Sequence, residues 1–510
     1  MCHICHNCSH HASFLQLDCP VVIAAICAAG IGGTFQYGFC ISVMTSPSAF
    51  IKELVNTTCL QRYGVSLEQW QVSLIWSSTV SIFCIGGLLG SLMSSQLLTR
   101  FGRKKILLLN NFVAIIGAVL MLLSQTAMSF EMILVGRFLY GINAGVSLPA
   151  QVLYLVECAP KCLRGMVVVT VLTFQCLGKF SGQLLGISEL LGTRERWPWL
   201  LGFNGFTALL QLSTLTFLPE SPIYLLLYRE DRQACEKALK RLWGNKDHSR
   251  VVEEILEEKA ALQYTRSHSL MELIQTKELR WQLLTLFIIT ATLQFSGISS
   301  VFFYAFEVFR AAGIQEHLLP YANMGLGLCE MITSVACFMI IENTGRKVLL
   351  IGGYMGVAAT LGLLTITLYL QSQVSWMPYC SMALIFIFIF FFTGGPCGAT
   401  GSLGVEILTV AYVAAGTALS CVTNWTVMFL MGMLFPVLAE KLQHFCFLIF
   451  LFFCVACGLY VKFNVPETKN RTALEITAEF ERMHSKSGGE RKNSTEHGIE
   501  ANRTDDLSEL

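Results

Sequence analysis

The chain has 510 residues, of which 54% are hydrophobic and only 14% are charged, and its net charge is +1. Ordinary soluble domains carry ~25% charged residues, so this composition, with a mean hydropathy of +0.58, excludes a soluble globular protein. The net charge by itself says nothing about partners.

Long apolar runs recur along the chain. About 20 apolar residues cross the hydrocarbon core of a bilayer, and roughly a dozen segments meet that rule. The sequence therefore predicts an all-α membrane protein with twelve transmembrane helices in two six-helix bundles. The predicted spans are 20–44, 72–97, 106–126, 130–156, 166–190, 198–218, 283–307, 319–341, 347–370, 378–408, 410–438 and 444–463.

The N-terminal tail, residues 1–19, contains a tract of Cys and His between Cys2 and His11. Such tracts can bind zinc, but no second ligand pair follows at zinc-finger spacing. We therefore predict a cytosolic tail and no metal site. The tail lacks the basic region and cleavage site of a signal peptide, so we expect the first apolar run to remain as a helix.

Basic residues lie in alternate short loops between the predicted helices, at 100–105, 161–164 and 346–347. Positively charged loops face the cytosol, so both termini are predicted to be cytosolic. The 45–71 loop is then extracellular. It contains the sequon Asn56-Thr57-Thr58, which predicts N-glycosylation of Asn56.

Two short cassettes each occur twice. Gly102-Arg103-Lys104 recurs 243 positions later as Gly345-Arg346-Lys347, and Pro219-Glu220-Ser221 recurs 247 positions later as Pro466-Glu467-Thr468. In a membrane protein, such a repeat indicates two helical bundles that face each other across a substrate site. The predicted units are a cytosolic tail (1–19), an N-terminal bundle (20–218), cytosolic linker helices (219–282), a C-terminal bundle (283–464) and a cytosolic tail (465–510).

The cassettes also supply charges for a latch at the cytosolic face. Glycine permits a tight turn, and neighbouring cations can bind the carbonyl groups that end the preceding helix. We predict a latch that forms when the carrier faces outward and breaks when it opens inward; the alternative is that these charges only follow the positive-inside rule. The latch residues are Arg103, Lys104, Glu157, Arg164, Glu220, Arg346, Glu406 and Glu467.

The segment 223–281 predicts short amphipathic helices, because Cys235, Ala238, Leu239 and Leu242 share one helix face. No nucleophile with a neighbouring base, phosphate-binding glycine loop or metal-ligand set is evident in the sequence. We therefore predict neither an enzyme nor a cofactor.

Further motifs extend over about residues 20–480. They are Gln36-Tyr37-Gly38, Gly86-Gly87 with Gly90, Gly136-Arg137, Glu157 through Arg164-Gly165, Trp197-Pro198, Pro219-Glu220-Ser221-Pro222, Asn424-Trp425 and Pro466-Glu467-Thr468-Lys469. In these motifs the chain resembles the facilitative sugar transporters of solute carrier family 2, in the major facilitator superfamily. The runs 28–36 and 351–354 are similar to its class II branch, which handles fructose and glucose.

The resemblance implies a hexose held midway across the bilayer by polar side chains of the fifth, seventh, eighth, tenth and eleventh helices. A sugar without its water shell needs hydrogen-bond partners for its hydroxyl groups. The implied substrate-binding residues are Gln36, Tyr37, Gln175, Cys176, Gln294, Ser299, Phe302, Glu330, Phe392, Thr393, Gly401, Asn424 and Trp425.

Several positions depart from the family pattern. The paired glutamines of the seventh helix are Leu293 and Gln294, and the fifth-helix glutamine is Cys176. The tenth-helix tryptophan of the glucose-selective branch is Gly401, which leaves a roomier pocket, as in the fructose branch. The arginine expected after Glu406 is missing, so we expect the second latch to be weaker than the first.

Two charges fall inside predicted helices. Lys179 lies 15 residues past Arg164, and Glu330 lies 13 before Asn343, so both are ~20 Å from the cytosolic face. Ionised residues at this depth are usually paired or line a water-filled path. We predict a Lys179–Glu330 ion pair, or a cationic feature that favours anions such as urate. The alternative is a lysine that reaches water without a specific role.

We therefore expect uniport of fructose or glucose across the plasma membrane, with a hexose and the lipid bilayer as partners and no nucleic acid. Proton-coupled relatives carry an acid after the Gly-Tyr pair of the first helix, where this chain has Cys40. A carrier of urate or another organic anion and a non-transporting sugar receptor with the same fold remain alternatives. The sequence gives no indication of the oligomeric state.

Overall fold

A computed structural model describes residues 20–160, 163–245, 248–263, 275–276, 279–371, 373–408, 410–469, 471 and 473–485. The Cys/His tract of the N-terminal tail and the end of the C-terminal tail lie outside these residues. Within the described part, every regular element is helical, as the composition predicts.

The first half of the chain forms six membrane-crossing units, and two short helices, α1 and α2, make up the first unit. The predicted loop over 45–71 is wrong in part, because α3 occupies most of it and buries Ile51, Leu54 and Val55. The helices are α1 (Pro20–Ile31), α2 (Thr34–Ser42), α3 (Ser48–Tyr63), α4 (Gln69–Phe101), α5 (Arg103–Leu123), α6 (Phe130–Cys158), α7 (Arg164–Leu185) and α8 (Trp197–Leu215).

The linker contains α9 (Pro222–Leu227), α10 (Arg232–Trp243) and α11 (Ser249–Gln263). The predicted apolar face of α10 is confirmed, because its four residues are all buried. Two of them, Cys235 and Leu239, pack against residues of α9 and α11. Burial raises the pKa of the Cys235 thiol to about 11, so this cysteine stays protonated and acts as a small apolar residue.

The second half repeats the six units, with two of them interrupted. The seventh unit breaks at Gly297 and Tyr304, and the tenth contains a π-helical turn with Pro396. The helices are α12 (Arg280–Phe295), α13 (Ile298–Phe303), α14 (Ala305–Ala311), α15 (Leu319–Thr344), α16 (Arg346–Leu370), α17 (Met377–Phe392), α18 (Gly398–Glu406), α19 (Val410–Leu442) and α20 (Cys446–Asn464), followed by α21 (Ala473–Ser485).

Eight stretches of described helix are long and apolar enough to cross a membrane, and the last, Ala415–Asn464, includes parts of both α19 and α20. The other three predicted spans correspond to α7, α8 and α15. These helices pack within the same bundles, α8 against α5 and α7 against α2. The predicted architecture of two six-helix bundles is therefore confirmed.

The bundles meet along three helix pairs, which are α4 with α19, α7 with α15, and α2 with α13. Because successive spans alternate in direction, Gly102 and Gly345 lie at the same end of the molecule. We call this end the cassette face and the opposite end the outer face.

Substitution of Gly345 tests whether the tight turn of the second cassette requires glycine. Gly345 has φ of +91°, and a Cβ there would lie 2.8 Å from Glu467 Oε2. We expect Gly345→Ala to destabilise the fold by about 1–3 kcal/mol, the usual penalty for a strained backbone, and to lower the thermal midpoint in detergent. Gly352→Ala is the matched control, because a Cβ there meets no atom within 4 Å. Equal midpoints for the two variants would contradict the prediction.

Candidate functional site

The first cassette forms a clasp at the cassette face. Glu220 accepts hydrogen bonds from the backbone N–H groups of Lys104 (2.8 Å) and Lys105 (3.4 Å), at the N-terminus of α5. Free N–H groups and the helix dipole stabilise a carboxylate at this position. Arg103 pairs with Glu157 at 2.9 Å, and both side chains are buried. The clasp therefore connects α5, the end of α6 and the start of the linker.

One predicted latch residue forms a different side-chain contact, and another has a side chain that is not described. The ammonium group of Lys104 donates to the carbonyl oxygen of Thr216 at 2.8 Å, so Lys104 contributes its backbone rather than its charge to the clasp. The side chain of Arg164 lies outside the described part of the structure.

The second cassette repeats the same contacts. Glu467 accepts from the backbone N–H groups of Arg346 (2.9 Å) and Lys347 (3.1 Å), at the N-terminus of α16. Arg346 in turn pairs with Glu406 at 3.1 Å. The second clasp thus forms without the arginine that the family pattern led us to expect after Glu406.

The clasps differ in burial. The paired side chains are 4% and 7% exposed in the first clasp, and 21% and 27% exposed in the second. Water screens the more exposed pair more strongly, which favours the expected weaker second latch. Each contact described for a clasp lies within one half of the chain and the segment that follows it, so the clasps hold each bundle together. Their opening during a transport cycle stays a prediction.

Lys179 and Glu330 meet where α7 packs against α15. Lys179 Nζ lies 2.6 Å from Glu330 Oε1, and the side chains are 8% and 3% exposed. The ammonium group also lies 4.2 Å from the centroid of the Phe302 ring, a cation–π contact. The structure therefore brings together the two intramembrane charges that the sequence indicated, and the pair joins the two bundles.

Four residues from different helices share one depth in the molecule. Lys179, Glu330, Gln294 and Trp425 lie 14 or 15 residues from the cassette end of α7, α15, α12 and α19. At 1.5 Å per residue this is ~21–23 Å along each helix. They therefore form a layer, called the polar layer below, near the middle of a bilayer about 40–45 Å thick including its headgroup regions.

Within this layer, an amide cluster lies between α12, α13 and α19. Gln294 donates from Nε2 to Asn424 Oδ1 at 2.8 Å and accepts a hydrogen bond from the Ser299 hydroxyl group. The helix break at Gly297 allows the contact between Ser299 and Gln294, because Gly297 has φ of +89° and turns α13 away from the axis of α12. Three predicted substrate-binding residues are thus in direct contact.

Trp425 and Tyr37 lie at the contact between the bundles. Trp425 donates from Nε1 to Ser91 Oγ at 2.9 Å. The Tyr37 ring lies edge-on to the Trp425 ring, with centroids 5.8 Å apart. Both side chains are buried, so they connect α2, α4 and α19 in this conformation.

The remaining predicted residues differ in exposure. Phe392 and Thr393 are buried in the tenth unit, whereas a Cβ on Gly401 would meet no atom within 4 Å. Gln175 is half-buried, and Cys176 is buried. Gly401 is exposed, and a roomier pocket beside it stays a prediction.

Gln36 is the predicted residue that the structure separates from the layer. It donates from Nε2 to the hydroxyl group of Thr207 at 3.0 Å, so its amide lies between α2 and α8 inside the first bundle. Packing within that bundle, and not the contact between bundles, determines its direction.

Two functional candidates were missed from the sequence. Gln183 donates from Nε2 to Asn323 Oδ1 across the bundle contact at 3.0 Å, one helical turn from Lys179. Arg137 is buried inside the first bundle and donates to the carbonyl oxygens of Cys40 (2.7 Å) and Val80 (3.1 Å). The signals were an amide four residues from a buried charge on the same helix face, and an arginine inside the predicted span 130–156, seven residues from its start.

Further contacts between the bundles continue to the outer face. Lys52 pairs with Glu307 at 3.0 Å, and the Tyr321 hydroxyl donates to Glu189 at 2.8 Å. The two bundles are therefore in contact at this face. Among the residues that the structure describes, no group of three or more His, Cys, Asp or Glu side chains is placed to hold a metal ion.

The family model of sugar (and other) transporters matches residues 24–480. The chain is 42% identical to human solute carrier family 2, facilitated glucose transporter member 11, over 91% of this chain and 94% of the relative. It is 40% identical to member 9 of mouse, over 90% and 85%, and 37% identical to member 5 of Bos taurus, over 92% and 94%.

The chain belongs to the sugar transporter family, in solute carrier family 2. The resemblance to the class II branch is confirmed, and membership places the protein among transporters rather than enzymes. The fold is also similar to that of the xylose transporter XylE of E. coli in a partially occluded inward-open conformation. That match has a TM-score of 0.74 and 20% identity, and covers 89% of this chain and all of XylE.

Charge reversal tests the ion pair in the middle layer. Lys179→Glu and Glu330→Lys each place like charges in a buried site, so each should lose about 3–5 kcal/mol of stability and most of the folded protein. The double variant restores opposite charges and should recover folded protein, measured by size-exclusion chromatography of a fluorescent fusion. Glu195→Lys, at an exposed position between α7 and α8, is the control. If the double variant is no better expressed or active than either single variant, the pair contributes nothing.

The clasps allow a second comparison. Arg103→Leu leaves Glu157 buried without a cation, whereas Arg346→Leu leaves a half-exposed Glu406 that water can reach. We expect the first variant to lower the thermal midpoint clearly more than the second, because an unpaired buried charge costs several kcal/mol and an exposed pair contributes about 0–1 kcal/mol. Equal losses would show that burial does not distinguish the clasps.

Proposed function

We propose that the protein carries a hexose, D-fructose or D-glucose, across the plasma membrane by facilitative diffusion. The observation that supports this most is the polar layer between the bundles, where Gln294, Asn424 and Ser299 are hydrogen bonded at the depth of the Lys179–Glu330 pair. Transporters built from repeats bind their substrates at such a position. The relatives are named as facilitated glucose transporters, which supports the same substrate class.

The unsatisfied oxygen atoms near this depth suit a sugar. A hexose that leaves water needs partners for its hydroxyl groups. Glu330 Oε2, Gln183 Oε1 and Thr393 Oγ1 are buried and have no hydrogen-bond partner among the described protein atoms. Each can accept a hydrogen bond from a hydroxyl group, and the open space beside Gly401 adds room for the ring.

Charge favours a neutral substrate over urate or another organic anion. Lys179 is the cation of the layer, and Glu330 neutralises it at 2.6 Å. An anion would have to compete with a buried carboxylate at that distance, whereas a sugar can hydrogen bond to the pair without separating it. The amide cluster of Gln294 and Asn424 carries no net charge.

The environment of Cys40 supports uniport rather than proton coupling. This residue takes the position of the acid in proton-coupled relatives, and its Sγ accepts a hydrogen bond from Asn204 Nδ2 at 2.8 Å. A buried thiol at this position offers no carboxylate to bind and release a proton during transport.

The distribution of charge supports a cytosolic cassette face and cytosolic termini. Arg103, Lys104, Arg346 and Lys347 all belong to this face, and positive residues are retained on the cytosolic side. Asn56 is exposed on α3, which follows the outer end of α2 and is accessible for glycosylation in this orientation. Rocking of the two bundles about the polar layer would then expose the site alternately to each side.

Exchange in proteoliposomes tests the substrate. We expect counterflow of radiolabelled D-fructose or D-glucose and none of urate, and an imposed proton gradient should not change sugar uptake. Gln294→Leu removes one partner of the amide cluster and leaves Asn424 unpaired. A penalty of about 1–3 kcal/mol should raise the half-saturation concentration at least about fivefold.

Gln373→Leu is the matched control, because this side chain is exposed near the outer face and should leave exchange unchanged. Urate counterflow in place of sugar would favour an anion carrier. Folded protein that binds sugar but exchanges nothing would favour a receptor, and uphill accumulation driven by protons would exclude uniport.

A further inference from the structure

A cavity lies at the outer face, inside the second bundle and separate from the polar layer. Its volume is about 300 Å³, at the lower end of the roughly 300–1,000 Å³ of small-molecule pockets. Residues of α14, α16 and α19, the turn Gln443–Phe445 and the start of α20 line it. The proposed substrate site has no residue in this lining.

Three of the residues that line this cavity, each from a different element, have a buried polar atom without a hydrogen-bond partner. Glu307 Oε2, Gln371 Oε1 and His444 Nε2 are buried and form no hydrogen bond with the described protein atoms. Buried polar groups in proteins nearly always have a partner. The presence of three such residues around one cavity therefore indicates a ligand that supplies hydrogen-bond partners.

The rest of the lining is mainly apolar. Phe435, Phe447, Leu368 and Val308 contribute their side chains to the walls. A few polar groups fixed in an apolar pocket are typical of small-molecule sites, where they orient the ligand. The matching ligand carries hydroxyl groups on one edge and presents C–H groups or a ring to the aromatic walls.

The charges of the lining residues indicate that this ligand is neutral. Glu307 already pairs through Oε1 with Lys52, at 3.0 Å, so its Oε2 is an acceptor whose charge is compensated. Gln371 carries no charge. The cavity therefore does not require a cationic ligand, and an anionic ligand would lie against the carboxylate of Glu307.

The turn that contributes His444 has a strained backbone. Gln443, the residue before it, has φ of +48°, in the left-handed region that non-glycine residues rarely adopt. Such strain persists only where the surrounding structure enforces it, and it is concentrated at binding sites. The turn places both Gln443 and His444 in the cavity lining.

We propose that this outer cavity binds a neutral polyhydroxylated molecule of monosaccharide size. The ligand donates hydrogen bonds to Glu307 and Gln371, forms one with His444, and packs its apolar face on Phe435 and Phe447. Ligand binding at this site does not depend on transport activity, because a non-transporting receptor with the same fold would contain the same cavity.

Photolabelling of the full chain in lipid nanodiscs tests the site. The probe is radiolabelled 4-azidophenyl β-D-glucoside, with unlabelled phenyl β-D-glucoside as competitor and peptide mapping as the readout. We expect competable adducts on segments 305–311 and 435–447. Gln371→Leu removes one acceptor with little change of volume and should reduce these adducts at least about fivefold, whereas Gln373→Leu, at an exposed position, should not.

Two further variants separate this site from the polar layer. Gln294→Leu should leave the outer adducts unchanged, and Ala439→Phe, which fills the cavity, should abolish them while adducts near residues 294–302 persist. Folding of each variant is checked by its thermal midpoint. The proposal is overturned if the wild type gives no outer adducts, if Gln371→Leu and Gln373→Leu label equally, or if 4-azidobenzylamine labels the cavity better than the glucoside.

Discussion

Charged and strongly polar side chains inside a bilayer need partners, and this requirement organises the whole molecule. Lys179 and Glu330 lie in the middle layer, where an isolated ion would cost several kcal/mol. They pair at 2.6 Å across the contact between α7 and α15, so the requirement also connects the two halves of the chain. Arg137 meets the same requirement within one bundle through two backbone carbonyl groups.

The same constraint explains the repeated cassettes. A turn between two membrane helices leaves free N–H groups at the start of the second helix, and one carboxylate in each half accepts two of them. Glu220 and Glu467 do this for α5 and α16, while Arg103 and Arg346 pair with acids at the ends of neighbouring helices. The two halves are therefore stabilised by equivalent contacts, which differ mainly in their exposure to water.

The polar layer combines a neutralised charge pair with uncharged amide groups. Such a layer can hydrogen bond to hydroxyl groups without attracting an ion, which fits a sugar that must enter and leave readily. The outer cavity has a similar arrangement, since Lys52 compensates the charge of Glu307 and leaves one oxygen atom of Glu307 as an acceptor. Both places combine compensated charge with unsatisfied oxygen atoms.

The sequence by itself determined the spans, the two-bundle architecture, the cassettes and the family, because helix length, apolar content and turn motifs are local properties of the chain. It also predicted Lys179 and Glu330 as partners, since buried charges have few alternatives. Only the tertiary structure decided that Gln183 meets Asn323, that Gln36 points into its own bundle and that Glu307, Gln371 and His444 line one outer cavity. Those outcomes depend on how each helix is rotated about its axis and where it breaks, and packing between distant segments sets both.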